Sequence, residues 1–373
     1  MALACGQQVW STAGMDLNPT IKTADYVVVA RVIGSAQWGQ RQWVDARNEL
    51  REERDMWVAT VPMQTVLSLK GDLSGAFTYV EAAGIPFKPD ISATRLAPAG
   101  QGSLVLLWLY KQNADHLFRS FATSNLFRAD SSTEYEYAHP DSVPVLPESN
   151  YVLEGQTPVE RYCSILVQAY AIEPGGERSR DLLSLLSAVR PWWKIAEGRP
   201  ILRFPDWDGP SFFDFAKTKL IPRLLATQGD DILRKLRANY YAYWLAGDDQ
   251  FAAEHRRLVD RLDATWPDPH ATNLIEGIIG DRQYVSSKLN ARVASVRIAA
   301  LARVELKREN LPTVLARLRS DESFDLRIAA VRWLDWMKSQ NLDQFRDAPA
   351  ARINRAAHLI ENRQQILDYW TSH

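Results

Sequence analysis

Residues 221–237 of this chain recur ninety positions later as residues 311–327. The first block begins IPRLLA and the second LPTVLA, and each continues to an Asp and a Leu-Arg pair: Asp231 with Leu236-Arg237, and Asp321 with Leu326-Arg327. A unit of thirty residues follows when VRIAA at 296–300 is aligned with LRIAA at 326–330. A fixed period of about 20 to 50 residues is typical of stacked helical arrays, in which one unit cannot bury its apolar face alone. The repeat therefore favours a scaffold or binding surface over catalysis.

Apolar residues in the two clearest units follow a helical period. One stripe contains Val293, Val296, Ala300 and Val304, and the next contains Leu326, Ala330, Leu334 and Met337. Small Ala pairs in both units allow neighbouring helices to approach closely. Pro312 fits the first turn of a second helix, where its missing N–H costs nothing. Each unit is therefore predicted to be a pair of helices.

The order of these features resembles HEAT-like repeats, which have an acidic turn, then (V/L)-R-x-A-A, then a Pro-led second helix. The resemblance is clear over residues 293–340 and fair over 220–247. It fails over 251–290, where Trp266-Pro267-Asp268-Pro269 interrupts the pattern, so one repeat is either degenerate or replaced by an insertion. The resemblance implies an α-helical HEAT-like repeat domain over residues 159–373.

The first third of the chain is predicted to form β-strands. Strand-forming residues are concentrated at 26–33, 57–69, 77–81, 104–110 and 117–127, with a polar excursion at 38–55. Short turns between five strands predict a small antiparallel barrel or sandwich over residues 1–130. Residues 131–158 hold four prolines among Ser, Glu and Tyr, a composition typical of an inter-domain linker. The predicted fold class is thus β followed by α.

The strand region resembles the netrin-like, or tissue-inhibitor-of-metalloproteinase-like, form of the OB-fold. The matching features are Cys5 near the start, ADYVVVARV at 24–32, VLSLKGDLSG at 66–75 and GSLVLL at 102–107. The resemblance implies an OB-like β-barrel. The chain lacks the paired N-terminal cysteines that this family usually carries, so inhibition of a metalloprotease is not carried over.

Charge and hydropathy narrow the class of partner. The chain has 44 Lys and Arg against 45 Asp and Glu, a net charge of -1, so no general field attracts nucleic acid or an anionic membrane. No run approaches the roughly 18 consecutive apolar residues of a transmembrane helix.

Ala2-Leu3-Ala4 before Cys5 fits a secretory cleavage site, which predicts a secreted or periplasmic protein with a trimmed signal peptide. A chance Ala-rich start is the alternative.

Cys5 and Cys163 are the two cysteines, so one intramolecular disulfide is possible. In an oxidising compartment it would link the N-terminus to the second half of the chain. The alternative is two unpaired thiols, with Cys163 acting as a small buried hydrophobe. Two Cys and six scattered His give no metal-ligand spacing, and glycine-rich phosphate loops are missing, so neither a metal nor a cofactor is predicted.

Three arginines, Arg237, Arg297 and Arg327, recur at the same point of their units. In HEAT-like arrays such an Arg pairs with an acidic residue of an adjacent turn. The resemblance therefore implies a structural ladder in which Asp231 and Asp321 are plausible partners. A row of anion-binding arginines is the alternative.

The segment 191–215 concentrates aromatic residues among helix breakers, a composition that often carries recognition. The predicted binding residues are Trp192, Trp193, Asp206, Trp207 and Asp208. The alternative is that this segment covers the β-domain and its rings form a domain interface.

Other candidates carry no predicted chemistry. The aromatic run at 239–244 surrounds most of a helix, so it is predicted to be core. His255 and His270 stand near carboxylates, but no nucleophile motif accompanies them, so they are predicted to be surface residues. No catalytic residue is predicted.

Together these features predict an exported, non-enzymatic, protein-binding adaptor or envelope scaffold. Binding would use the helical array or the segment 191–215, and the partner would be a protein. Two alternatives stay open: a hydrolase whose carboxylates are Asp206 and Asp208, and a protease inhibitor that uses Cys5.

Overall fold

The structure is a computed structural model, and it describes residues 21, 23–45, 53–82, 96, 99–111, 117–119, 125–128, 133–137, 143–174, 177–188, 193–196, 199–202, 209–320, 323–354 and 359–373. These residues form two compact units. One unit contains the described residues as far as Trp193 together with Leu202–Leu224, and the other contains Lys194–Ile201 and Leu225–His373. The units thus divide further along the chain than the predicted linker at 131–158.

Strands dominate the first unit and helices the second. The strands are β1 Tyr26–Val32, β2 Gln37–Asp45, β3 Glu53–Lys70, β4 Ala76–Ala82, β5 Leu104–Lys111, β6 Leu117–Arg119, β7 Asn125–Arg128, β8 Glu134–Tyr137, β9 Val145–Leu146, β10 Trp193–Ala196, β11 Arg199–Leu202, β12 Ile353–Asn354 and β13 Leu359–Ile360. The helices are α1 Pro158–Ile172, α2 Glu177–Ala188, α3 Gly209–Phe215, α4 Ile221–Ala226, α5 Ile232–Ala246, α6 Asp249–Thr265, α7 Arg282–Ser287, α8 Ala294–Leu301, α9 Leu311–Arg319, α10 Phe324–Gln340, α11 Leu342–Phe345 and α12 Arg363–Ser372.

The main sheet pairs five of its strands along a path that returns to its start. β1 pairs antiparallel with both β3 and β5, β3 with β4, and β5 with β8. β4 and β8 complete the path as a parallel pair, in which Tyr79 lies opposite Tyr135. The sheet is therefore mixed, and the prediction of a purely antiparallel sheet is wrong at this pair. β8 reads EYEY, a short polar strand without the apolar run that identifies strands from sequence.

Apolar runs explain why β1 and β5 lie at the centre of the first unit. Both strands are buried along most of their length, as expected for Val- and Leu-rich runs covered on both faces. The fully buried Trp108 of β5 packs against Tyr162 of α1, with ring centroids 5.0 Å apart. Helix α1 therefore belongs to the core of the strand unit.

Helix α1 begins with a capping box that requires a glycine just before it. The Thr157 side chain accepts a hydrogen bond from the Glu160 N–H, and the Glu160 carboxylate accepts from the backbone N–H of Gln156 and Thr157. Gly155 has a φ of +108°, and a Cβ built on it would lie 2.6 Å from the Glu160 Cβ. This turn tolerates no side chain at position 155.

We expect Gly155→Ala to lower the free energy of unfolding of the strand unit by about 2 kcal/mol, because strained backbone and a steric clash combine. Gly102→Ala is the matched control, since Gly102 has a φ of +90° and a Cβ added there would meet open space. Urea unfolding of both variants measures the difference. Equal losses in the two variants would contradict the role of the Glu160 contact.

Helices of the second unit stack in two layers. α8 packs against α10, and α9 packs against both α10 and α12. Pro312 occupies the first turn of α9, as predicted. The two predicted stripes are confirmed as core, because all eight residues are buried: Val293, Val296, Ala300, Val304, Leu326, Ala330, Leu334 and Met337.

An irregular stretch, residues 266–281, joins α6 to α7 and is called here the crossing segment. Its Pro269 and Ala271 carbonyl oxygens accept hydrogen bonds from the first N–H groups of α8, at Ala294 and Ser295. The Ser295 hydroxyl in turn accepts from the Leu274 and Ile275 N–H groups, at 3.0 and 3.1 Å. The crossing segment thus lies where the repeat pattern fails, and four of its backbone polar groups are satisfied by the start of α8.

Candidate functional site

Most of the predicted binding residues lie outside the described part of the chain. These are Trp192, Asp206, Trp207 and Asp208, and Asp321 and Cys5 also lie outside it. Trp193 is the first residue of β10, and helix α3 forms the end of the segment 191–215. The binding role of this segment therefore stays a prediction.

Cys163 lies in α1 and is fully buried as a free thiol. Burial raises the pKa of this thiol, because the thiolate would be desolvated, and the nearby Glu160 carboxylate acts in the same direction. The side chain therefore behaves as a small apolar core residue in the strand unit. Its pairing with Cys5 stays a prediction.

Arg237 of α5 forms a buried ion pair with Glu276 of the crossing segment. Nε of Arg237 lies 2.6 Å from Oε1 of Glu276, and the two side chains are 8% and 11% exposed. The ladder hypothesis named Asp231 as a plausible partner, but the Asp231 carboxylate caps α5 by accepting a hydrogen bond from the Leu233 N–H. The partner Glu276 was missed because nothing in the local sequence indicates that the crossing segment returns to α5.

Arg297, at the equivalent position of α8, is also buried, and it contacts backbone carbonyl groups. Its Nη1 donates hydrogen bonds to the carbonyl oxygens of Ala291 and Arg292, both at 2.7 Å. Arg327 lies half-buried on α10. The recurring arginines of α5 and α8 thus make contacts inside the helical unit, Arg237 with the crossing segment and Arg297 with the residues just before its own helix.

His255 of α6 is 1% exposed, so the prediction of a surface residue is wrong. Its Nδ1 lies 3.2 Å from the Leu236 carbonyl oxygen, and its Nε2 lies 3.1 Å from the Gly277 carbonyl oxygen. Burial lowers the pKa of His255 to about 4; the two carbonyl groups act in the opposite direction, and the positive Arg303 and Arg256 add to the lowering. A neutral imidazole has one N–H, so it donates a hydrogen bond to one of these two carbonyl oxygens and packs against the other, between α5 and the crossing segment.

The aromatic residues of α5 are buried, which confirms the prediction that the run 239–244 is core. The Tyr240 ring centroid lies 5.6 Å from that of His255. A Cβ at Gly277 would lie 2.9 Å from the Tyr240 hydroxyl, so the crossing segment passes closely over this ring. The guanidinium of Arg303 lies 5.3 Å from the Trp244 ring centroid, a favourable cation–π distance.

Polar side chains connect successive second helices, and we call α6, α7, α9 and α12 the second-helix layer. Asp260 of α6 accepts from the Tyr284 hydroxyl of α7 at 3.0 Å and pairs with Lys288 at 2.6 Å. The next contacts along the layer are made by two arginines of α9: Arg317 Nη2 to Asn290 Oδ1 at 2.7 Å, and Arg319 Nη2 to Thr371 Oγ1 at 3.0 Å.

The strand unit has a buried ion pair of its own. Arg41 of β2 and Glu134 of β8 form two parallel hydrogen bonds of 2.7 Å, and the side chains are 10% and 6% exposed. Bidentate pairing of this kind fixes both side chains and adds geometric specificity. Both charges are satisfied by each other, so the pair serves the fold and offers no free group for chemistry.

The described residues contain no group of three or more His, Cys, Asp or Glu side chains that could hold a metal ion. Among these same residues, none of the helices has the length and apolar character needed to cross a membrane.

Two surfaces of the helical unit are candidates for binding, the second-helix layer and the outer face of α10. Trp336 on that face is 43% exposed. Comparison with known proteins found no matching family model, curated protein or solved structure.

Proposed function

We propose that this protein is a non-enzymatic adaptor or scaffold that binds a partner protein through its second-helix layer. The observation that carries the proposal is the stacking of repeated helices, in which α8 packs on α10 and α9 packs on α12. Stacked arrays of this kind create extended surfaces whose side chains come from many units. The recurring arginines are used internally, which leaves the outward residues of the second helices for recognition.

The same proposal includes the finer fold assignments. The two-layer stacking and the Pro-led α9 support a HEAT-like array, in which the crossing segment takes the position of one first helix. The closed path through β1, β3, β4, β8 and β5 supports an OB-like barrel, because that fold is a small five-stranded barrel. Export to an oxidising compartment belongs to the proposal as well, on the strength of Ala2-Leu3-Ala4 before Cys5.

Site-specific photo-crosslinking in the native host tests the binding surface with the full chain. Benzoylphenylalanine is placed at one of three exposed positions of the second-helix layer, Ala264, Ala316 or Gln365, and at Ser339 of α10 as the matched control. We expect the same partner protein to be captured from all three positions and not from Ser339. Capture from Ser339 alone would assign recognition to the Trp336 face, and capture from none of the four would contradict the adaptor function.

A further inference from the structure

Three arginines on or beside the second-helix layer, Arg292, Arg317 and Arg319, have no carboxylate partner within the described residues. Each guanidinium instead donates to neutral oxygens. The acceptors are the carbonyl oxygens of Asp263, at 2.8 Å, and Trp266 for Arg292, the Asn290 side chain for Arg317, and the Thr371 hydroxyl for Arg319. We call these three residues the arginine row.

Three other arginines of the same unit are each paired with an acid at 2.7 Å or less. Arg237 binds Glu276, Arg257 binds Glu254, and Arg282 binds Glu305. The carboxylates of the second-helix layer that lie near the arginine row are already used by other donors. Asp260 accepts from Tyr284 and Lys288, Asp263 Oδ1 accepts from the Val293 N–H, and Asp368 accepts from Gln364.

The arginine row crosses several elements in order. Arg292 follows the 3₁₀ turn after α7 and reaches back to the end of α6, while Arg317 reaches from α9 toward that same turn. Arg319 extends from α9 to α12. Arg292 and Arg319 are exposed, and Arg317 is half-buried with its Nε lacking an acceptor. Packed helices lie about 8–10 Å apart, so the row presents positive charge over roughly two such spacings.

We propose that the arginine row binds an acidic segment of the partner protein, an inference that rests on the proposed adaptor function. A guanidinium has five N–H donors, and each arginine uses only one or two of them internally. The remaining donors match the two oxygens of a carboxylate. Acidic side chains spaced along an extended or helical segment of the partner would supply the negative charge that these three arginines do not receive from the described residues.

An acidic peptide fits this row better than nucleic acid does. Nucleic-acid sites combine many phosphate contacts with a basic field over the whole domain. Here the chain has a net charge of -1, and the row has three cations. Charge complementarity over a short row is a feature of peptide docking.

The test uses the full chain and a fluorescein-labelled peptide of alternating Glu and Ser, with the same peptide carrying Gln in place of Glu as the control ligand. Fluorescence polarisation measures Kd at low and at raised salt. We expect Arg292→Gln, Arg317→Gln and Arg319→Gln together to weaken binding of the acidic peptide about tenfold or more, because each removes a charge-assisted contact. Lys217→Gln, Arg346→Gln and Arg352→Gln together remove the same total charge from exposed positions outside the second-helix layer, and they should change Kd less than about twofold.

Asn290→Asp keeps every arginine and supplies one of them with a carboxylate. Because Arg317 already contacts Oδ1 of Asn290, the variant should neutralise that guanidinium and weaken peptide binding without loss of thermal stability. Equal loss of binding in the control triple variant, or unchanged binding in Asn290→Asp and in the arginine-row variant, would overturn the proposal. Tighter binding of a single-stranded oligonucleotide would reassign the row to nucleic acid. If the arginine-row variant still crosslinks to the same partner protein in the native host, the adaptor function holds and the proposal of an acidic segment is refuted.

Discussion

Glu276→Gln is expected to lower the free energy of unfolding of the helical unit by about 3 kcal/mol. The change keeps the size of the side chain but leaves the Arg237 guanidinium, 8% exposed, beside a neutral amide. Removal of one member of a buried ion pair typically costs about 3 to 5 kcal/mol, because the other charge stays desolvated and loses that counter-charge. For a unit of this size the melting temperature should fall by about 6–12 °C, which circular dichroism measures.

The matched control is Glu254→Gln, which breaks the exposed Arg257–Glu254 pair in the same unit. An exposed pair contributes at most about 1 kcal/mol, so its loss should barely move the melting temperature. The double variant Arg237→Met with Glu276→Leu should recover most of the stability, because well-packed apolar residues often replace a buried ion pair at little cost. A Glu276→Gln protein as stable as the wild type would show that the pair is not buried in solution.

Acidification is expected to destabilise the helical unit through His255. The folded pKa is about 4 and the ordinary value is 6.5, so above about pH 6.5 both states hold a neutral imidazole and the residue adds no pH dependence. Between pH 6.5 and 4 the unfolded chain binds a proton that the folded chain does not, and stability falls as pH falls. The loss is about 1.4 kcal/mol per pH unit, or about 2 kcal/mol at pH 5 and about 3 kcal/mol at pH 4.

His255→Gln removes this titration while keeping a hydrogen-bonding side chain between Leu236 and Gly277. Urea unfolding at pH 7 and at pH 5 gives the loss for each protein, and the loss should be about 2 kcal/mol smaller in the variant. The carboxylates contribute equally to the pH dependence of both proteins, so their contribution cancels when the two losses are subtracted. His270→Gln is the control, because it removes one exposed histidine and leaves the buried imidazole of His255 in place. Identical losses in wild type and His255→Gln would contradict a depressed pKa.

Periodic apolar patterns predicted the elements that such patterns determine. The sequence predicted the apolar stripes of α8 and α10 and the first-turn position of Pro312, because each of these features depends only on local spacing along one helix. The apolar strands β1 and β5 were readable for the same reason. β8 was not, since its four residues are polar and are held by pairing with β4 and β5.

Partners across the stack could not be predicted. Glu276 meets Arg237 only because the crossing segment turns back onto α5, and His255 is buried only because that segment covers it. The sequence at 266–281 contains turn-forming residues but has no apolar period. Without such a period, the sequence does not predict which helix the segment packs against. The arginine row was missed for a related reason, since Asn290 and Thr371 carry no sequence signal as acceptors.

The crossing segment also sets how the array folds. In a regular repeat array each unit forms its own helices, so folding can begin at several places and spread. Residues 266–281 form no helix, and their hydrogen bonds go to α5 and α6 on one side and α8 on the other. Much of their order therefore depends on both neighbours. We expect this joint to make the two ends of the helical unit unfold together, as one cooperative transition in urea.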